Sequence, residues 1–257
     1  MNHFENVGEE AWINRMKSKA ETILPPAQLK RKIMEQIEMR NGNGEVLASV
    51  RVDTFQPDDP MDAIIQQLKP GMGKAIYIAA QGDRTVSQQT NYAAVLWPHS
   101  LEQLFEEAAP WNPPLPVEAE IRRIEVYYGF DDVTEEEIEE MIAESEQQSK
   151  PVVVRDLRPN KNIVGARLLY DQADRNFECR LFGTTKSRIH VPDMEQQTIE
   201  RLLIHGQEAV YLQNDEVRQL IWAMEVPQTS RAVQYELRAE HSDREWLLHI
   251  ANTIPFA

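Results

Sequence analysis

The stretch from Glu200 to Ile254 constrains the fold more than any other. Val233, Tyr235 and Leu237 alternate with Gln234, Glu236 and Arg238. A period of two marks a strand with one dry and one wet face. Leu220, Trp222 and Met224 repeat the pattern just upstream. Thr198 to Ile204 and Ala209 to Leu212 are further strand runs, and His205-Gly206 and Asn214-Asp215 read as tight turns. Behind the strands, Ser242 and Glu245 spell a capping box. Leu247, Ile250, Ala251 and Ile254 then fall at helical spacing. One solvated face favours antiparallel pairing. The predicted fold is α+β: a curved, mainly antiparallel sheet with helices packed on one face, preceded by a short N-terminal helical segment.

Upstream, the chain divides at its punctuation. Residues 9 to 20 carry Trp12, Ile13 and Met16 on one side of a helical pattern, which Leu24-Pro25-Pro26 breaks. Leu29, Ile33 and Ile37 then recur every four residues, up to Asn41-Gly42-Asn43-Gly44. Residues 1–40 are thus expected to be a pair of short helices. Isolated helices of this length are marginal in water, so their apolar stripes need a surface. Trp12, Ile13, Met16, Leu29, Ile33 and Ile37 are the candidate partner-binding residues; the chain's own body is the alternative surface.

Residues 45–110 form the next expected sub-unit. Strands are predicted over 45–52, 74–80 and 92–97, and helices after Asp59-Pro60 and Ser100. Gln103 completes a capping box with Ser100. A proline-rich connector, Pro110 to Pro116, leads to residues 117–257. There 117–128 reads as a long strand, Thr134 and Glu137 open an acidic helix, and 151–157, 163–170, 177–183 and 187–191 are strands.

The C-terminal pattern carries a resemblance. Its residues are Gly206, Glu208, Ala209 and Tyr211, then Leu220 and Trp222, then Tyr235 and Leu237, then Leu247, Leu248, Ile250, Ala251 and Ile254. Over about residues 198–254 this resembles an uncharacterised domain family of Gram-positive anti-sigma-factor-like proteins. The resemblance implies a half-barrel like that of lipoprotein carriers. It also implies a non-enzymatic regulatory or sensor-like role with a protein partner, a sigma factor or a second copy. It supplies no catalytic residue.

No chemistry stands out in the sequence. The six histidines lack zinc-like spacing, and Cys179 is the single cysteine, so no internal disulfide forms. Cys179 sits in an alternating strand and reads as a buried structural thiol. Gly71-Met72-Gly73-Lys74 lacks the full spacing of a phosphate loop and follows a helix. The glutamates of 135–140 fan outward from a helix, whereas calcium needs oxygens converging from a loop. No cofactor or metal is expected. A net charge of −15 argues against nucleic acid as a partner.

No segment reaches the ~20 apolar residues of a membrane span, and the first residues lack signal-peptide character. A cytoplasmic location is expected from this. The family resemblance implies the outer face of the membrane instead, behind a span missing here. Two alternatives stand beside the regulatory reading: a carrier holding an apolar ligand between sheet and helix, and a hydrolase with a carboxylate pair. A filled interior favours the regulator, a large clean cavity the carrier. A cleft with convergent carboxylates of raised pKa favours the enzyme.

Overall fold

The computed structural model describes residues 36–40, 43–53, 60–79, 84–108, 113–117, 119–172, 175–184, 187–192, 198–214, 217–225, 232–240 and 243–255. These form three sheets. One small sheet runs in the order β1 (Gln36–Arg40), β2 (Val46–Asp53), β10 (Ser187–Pro192). A second runs β4 (Val86–Asn91), β3 (Met72–Ile78), β7 (Val152–Asp156). The main sheet has eight strands. Its order is β11 (Thr198–Ile204), β12 (Gln207–Gln213), β13 (Val217–Glu225), β14 (Ala232–Glu240), β9 (Arg175–Thr184), β8 (Pro159–Gln172), β6 (Glu120–Phe130), β5 (Ala94–Leu96). Pairing is antiparallel except between β2 and β10. Among the described residues four helices accompany them: α1 (Pro60–Gln67), α2 (Leu101–Glu107), α3 (Glu135–Gln148) and α4 (Arg244–Thr253). The architecture is α+β and mainly antiparallel.

Local chemistry explains the helix starts. Ser100 and Gln103 exchange reciprocal hydrogen bonds at the head of α2, and Thr134 and Glu137 do so at α3. At α4 the N-cap is Asp243, one residue past the expected Ser242; its carboxylate accepts the Trp246 N–H at 2.6 Å. His205 and Gly206 both have positive φ, 51° and 79°. That is the two-residue turn joining β11 to β12.

The N-terminal expectation fails at its last turn. Residues 36–40 are strand β1, not the end of a helix, and Ile37 pairs with Val50 of β2. Ile37 and Met39 are buried on one face while Glu38 and Arg40 are not. The alternation and the Asn43-Gly44 turn outweigh the four-residue recurrence. Ile37 is fully buried against the chain's own body, in a cluster with Met39, Val50, Val210 and Ile221. It is therefore not free for a partner in this structure. Trp12, Ile13, Met16, Leu29 and Ile33 lie outside the described residues.

Each sheet draws strands from both sides of the proline-rich connector, so residues 45–110 and 117–257 interleave. The main sheet is covered on one face and, at β12 and β13, on the other as well. On one, Trp222, Tyr235, Leu237, Cys179, Leu181, Leu168 and Tyr170 pack with Leu104 of α2 and Leu247, Ile250 and Ala251 of α4. Trp222 stacks on Tyr235 with ring centroids 4.9 Å apart, and Tyr170 on Phe177 at 4.6 Å. On the other face, Val210, Leu212, Ile221 and Ala223 pack against the β1–β2 hairpin. The wet face expected of β14 is thus itself buried: Gln234 and Glu236 are 3 % and 7 % exposed.

Trp222 is fully buried, so Trp222→Ala should cost about 3–5 kcal/mol in urea denaturation. A loss below about 0.5 kcal/mol would mean that the ring is not in the core and the facing of β13 is wrong. Two tyrosines make a sharper pair. The Tyr235 hydroxyl donates to the Pro114 carbonyl at 3.1 Å. The Tyr170 hydroxyl is buried without a hydrogen-bond partner. Tyr235→Phe should therefore lose about 1 kcal/mol, and Tyr170→Phe should be neutral or stabilising. Equal losses at both positions would refute the distinction.

Candidate binding face of the main sheet

The second face of the main sheet carries charge between two apolar borders. Strand register arranges it in three rows. One row is Arg123, Leu169, Glu178, Arg238 and Gln219, each directly opposite the next. The next is Glu125, Arg167, Arg180, Glu236 and Ile221. The third is Tyr127, Gly165, Phe182, Gln234 and Ala223.

The middle row sets Arg167 directly opposite Arg180, a repulsive pairing. Glu178 offsets it from the adjacent row. Its Oε2 accepts from Arg167 Nε at 2.5 Å, and its Oε1 lies 2.6 Å from Arg180 Nη2. Arg167 also donates to Glu125 at 3.1 Å, and Arg123 pairs with Glu125 at 2.7 Å. Glu236 lies 3.8 Å from Arg180 and accepts from Gln234 at 2.8 Å and Gln219 at 3.3 Å. Arg238 reaches Glu178 at only 4.0 Å.

The two signs differ in depth. The side chains of Glu125, Glu178 and Glu236 are 7 %, 10 % and 9 % exposed, whereas those of Arg167 and Arg180 are 30 % and 26 % exposed. Guanidinium groups therefore face outward over a floor of carboxylates. This is how long cationic side chains partition, stems down and heads toward water. Arg180 Nε is buried and makes no hydrogen bond, so this guanidinium has a donor unused.

Aromatic rings close one side. The third row lacks a side chain at Gly165, and the Phe182 ring occupies that space. A Cβ at Gly165 would lie 2.7 Å from Phe182 Cδ1 and 2.9 Å from the Leu181 carbonyl. Tyr127 stacks on Phe182 at 5.3 Å and 16°, and Tyr92 leans on Tyr127, Phe130 and Phe182. Val210, Leu212 and Ile221, beneath the β1–β2 hairpin, close the other side.

Burial moves several protonation equilibria. It pushes the Glu236 carboxyl above the ordinary carboxylate range; Arg180 and Gln234 pull the other way without prevailing. It raises the Tyr127 hydroxyl against the pull of Arg180 and Arg167. For Arg167 burial opposes the charge, but Glu178 more than offsets it, and the group stays cationic. Cys179, fully buried on the opposite face, has its thiol pushed far up by burial, which disfavours the reactive thiolate.

Other candidates resolve into structure. Glu137 caps α3, and the Thr134 N–H it accepts holds its carboxyl below the usual range. Glu144 is held low by Lys150 and Arg155. A cleft of about 450 Å³ beside α3 is lined by Asp131, Asp132, Glu137, Asp156, Arg155 and Arg158. No group of three His, Cys, Asp or Glu among the described residues is arranged to hold a metal. No helix among them is long and apolar enough to cross a membrane.

Comparison with protein-family models, curated proteins and solved structures returns no match to this chain. The sequence pattern singled out none of the arginines on this face. The signal was present: Glu125, Arg167, Glu178, Arg180, Glu236 and Arg238 all occupy the non-core phase of alternating strands. Opposite charges in the same phase on neighbouring strands are what a search would need to find.

The raised Glu236 pKa gives a pH dependence with a definite sign. The folded carboxyl holds its proton more tightly than the unfolded chain does. Its contribution to stability is full below the unfolded value and is lost as pH rises through the folded one. Glu236→Gln, which cannot ionise, should therefore gain on wild type as pH rises from about 4 to about 7. A difference that stays flat or falls, in urea melts across that range, would contradict the burial-raised carboxyl.

Proposed function

We propose that this chain acts by binding a protein partner, as a non-enzymatic regulatory or sensor-like domain. One observation carries the reading: the space between the main sheet and α4 is filled, and the groove of about 410 Å³ beside α2 is open and shares its lining between Trp97, Leu101 and Ile124 and the charged Arg122 and Arg123. Trp222, Leu237, Leu247 and Ile250 are fully buried there, with Tyr235 beside them at 1 % exposure. A carrier of apolar ligands needs a cavity of several hundred Å³ at that place. On the opposite face, the three buried carboxylates are each neutralised by arginine or held by amides. Glycoside hydrolysis instead needs an acid and a base flanking the substrate. The resemblance over 198–254 points to a sigma factor as the first partner to test, with a second copy of the chain next.

The interior provides the test. Titration with cis-parinarate, an apolar fatty acid whose fluorescence rises on burial, should give no saturable signal with the full chain. Native mass spectrometry of gently purified protein should find the chain, or a whole multiple of it, with no bound small molecule. Stoichiometric parinarate binding that quenches tryptophan emission would replace this reading with the carrier.

A further inference from the structure

The half-open face has a chemistry of its own. Building on the binding-domain reading, we propose that the arginine rows of the main sheet dock an extended, carboxylate-rich segment of a partner protein.

Charge complementarity identifies the occupant. The chain carries a net charge of −15, yet this face presents Arg123, Arg167, Arg180 and Arg238 outward over buried carboxylates. Screening over about 8 Å at physiological salt lets the local surface, not the distant net charge, decide contact. The guanidinium fork matches a carboxylate bidentately, and Arg238, 39 % exposed and no nearer than 4.0 Å to Glu178, has its fork open to solvent.

Geometry narrows the class further. The arginines stand on β6, β8, β9 and β14, consecutive neighbours in the sheet. At about 4.8 Å per strand, the row spans about 15 Å, the length of about five extended residues. Donors spread along a line read a segment with spaced carboxylates, whereas a single small anion needs donors converging on a point. The stacked Tyr127–Phe182 pair beside the arginines offers an apolar shelf for the segment's non-acidic residues.

Fluorescence anisotropy of a labelled peptide of alternating glutamate and serine, about eight residues long, tests this on the full chain. The informative variant is Arg238→Gln. Arg238 is 39 % exposed and 4.0 Å from Glu178, so its loss strands no tightly paired carboxylate. Arg84→Gln, paired with Glu139 off this face, serves as the control. Saturable binding by wild type is expected, weakened about tenfold by Arg238→Gln and by raised salt, and unchanged by Arg84→Gln. If Arg238→Gln melts below wild type, Arg238→Lys keeps the charge and loses the fork. It should then weaken binding by a smaller factor, and unweakened binding would count against the proposal.

Absence of saturable peptide binding overturns the proposal, as does equal weakening by Arg84→Gln. A labelled oligothymidylate run in parallel should not bind; competition with the peptide would assign the face to nucleic acid instead. Inorganic phosphate at millimolar concentration should leave the peptide bound, and full displacement would mean a small-anion site. Failure of the peptide with parinarate also silent sinks this inference alone. Stoichiometric parinarate binding sinks the binding-domain reading itself.

Discussion

Glu178 stands between two guanidinium groups that strand register sets directly opposite each other. Without it, Arg167 and Arg180 would repel across the centre of the main sheet. The need arises because the two arginine side chains are only 30 % and 26 % exposed, above carboxylates that solvent scarcely reaches. Here they lie over a floor closed by the β1–β2 hairpin on one side and by Tyr127 and Phe182 on the other. Such ion networks seldom exceed an apolar core in stability. Their better-attested use is to specify arrangement, and the register of β9 against β14 shows how. The apolar alternation survives a slip of two residues, which keeps every side chain on its face. The charges do not survive it: one slip sets Arg238 opposite Arg180, the other sets Glu236 opposite Glu178, as the observed pairing makes plain.

Much of the fold was legible because much of it is local. The capping boxes at Ser100–Gln103 and Thr134–Glu137 are contacts within four residues, and both form. Alternation at Val233, Tyr235 and Leu237 located β14 and the face it turns to α4. The misreadings share a cause. Ile37 fits a helical recurrence with Leu29 and Ile33 as well as a strand alternation with Met39. Pairing with β2 decides between them, and local spacing carries no trace of that partner. At α4 either Ser242 or Asp243 has the oxygen that a cap needs, and the Asp243 carboxylate takes it. Burial of Gln234 and Glu236 depends on what lies over the second face, which alternation along one strand does not record.

The candidate face was hidden for the same reason at larger scale. Glu236 reads singly as a solvated residue between core positions, and Glu125, Arg167 and Glu178 carry no signal of their own along one strand. Their meaning comes from neighbours far along the chain, on β6, β8, β9 and β14. Arginines at the surface of an acidic protein are ordinary one at a time. Four on adjacent strands, over carboxylates that solvent scarcely reaches, form a surface that only register could assemble.

The interleaving of the sheets bears on how the chain comes off the ribosome. β2 waits for β10, β3 waits for β7, and β5 waits for β6. None of the three sheets closes until well past the proline-rich stretch, so the first half cannot mature as a unit during synthesis. Pairing across such distances makes for slow folding. It also leaves strand edges open to strangers in the interval. A truncated product would carry unsatisfied edges rather than a finished smaller domain, and the nascent chain depends on its last strands to become inert toward its neighbours.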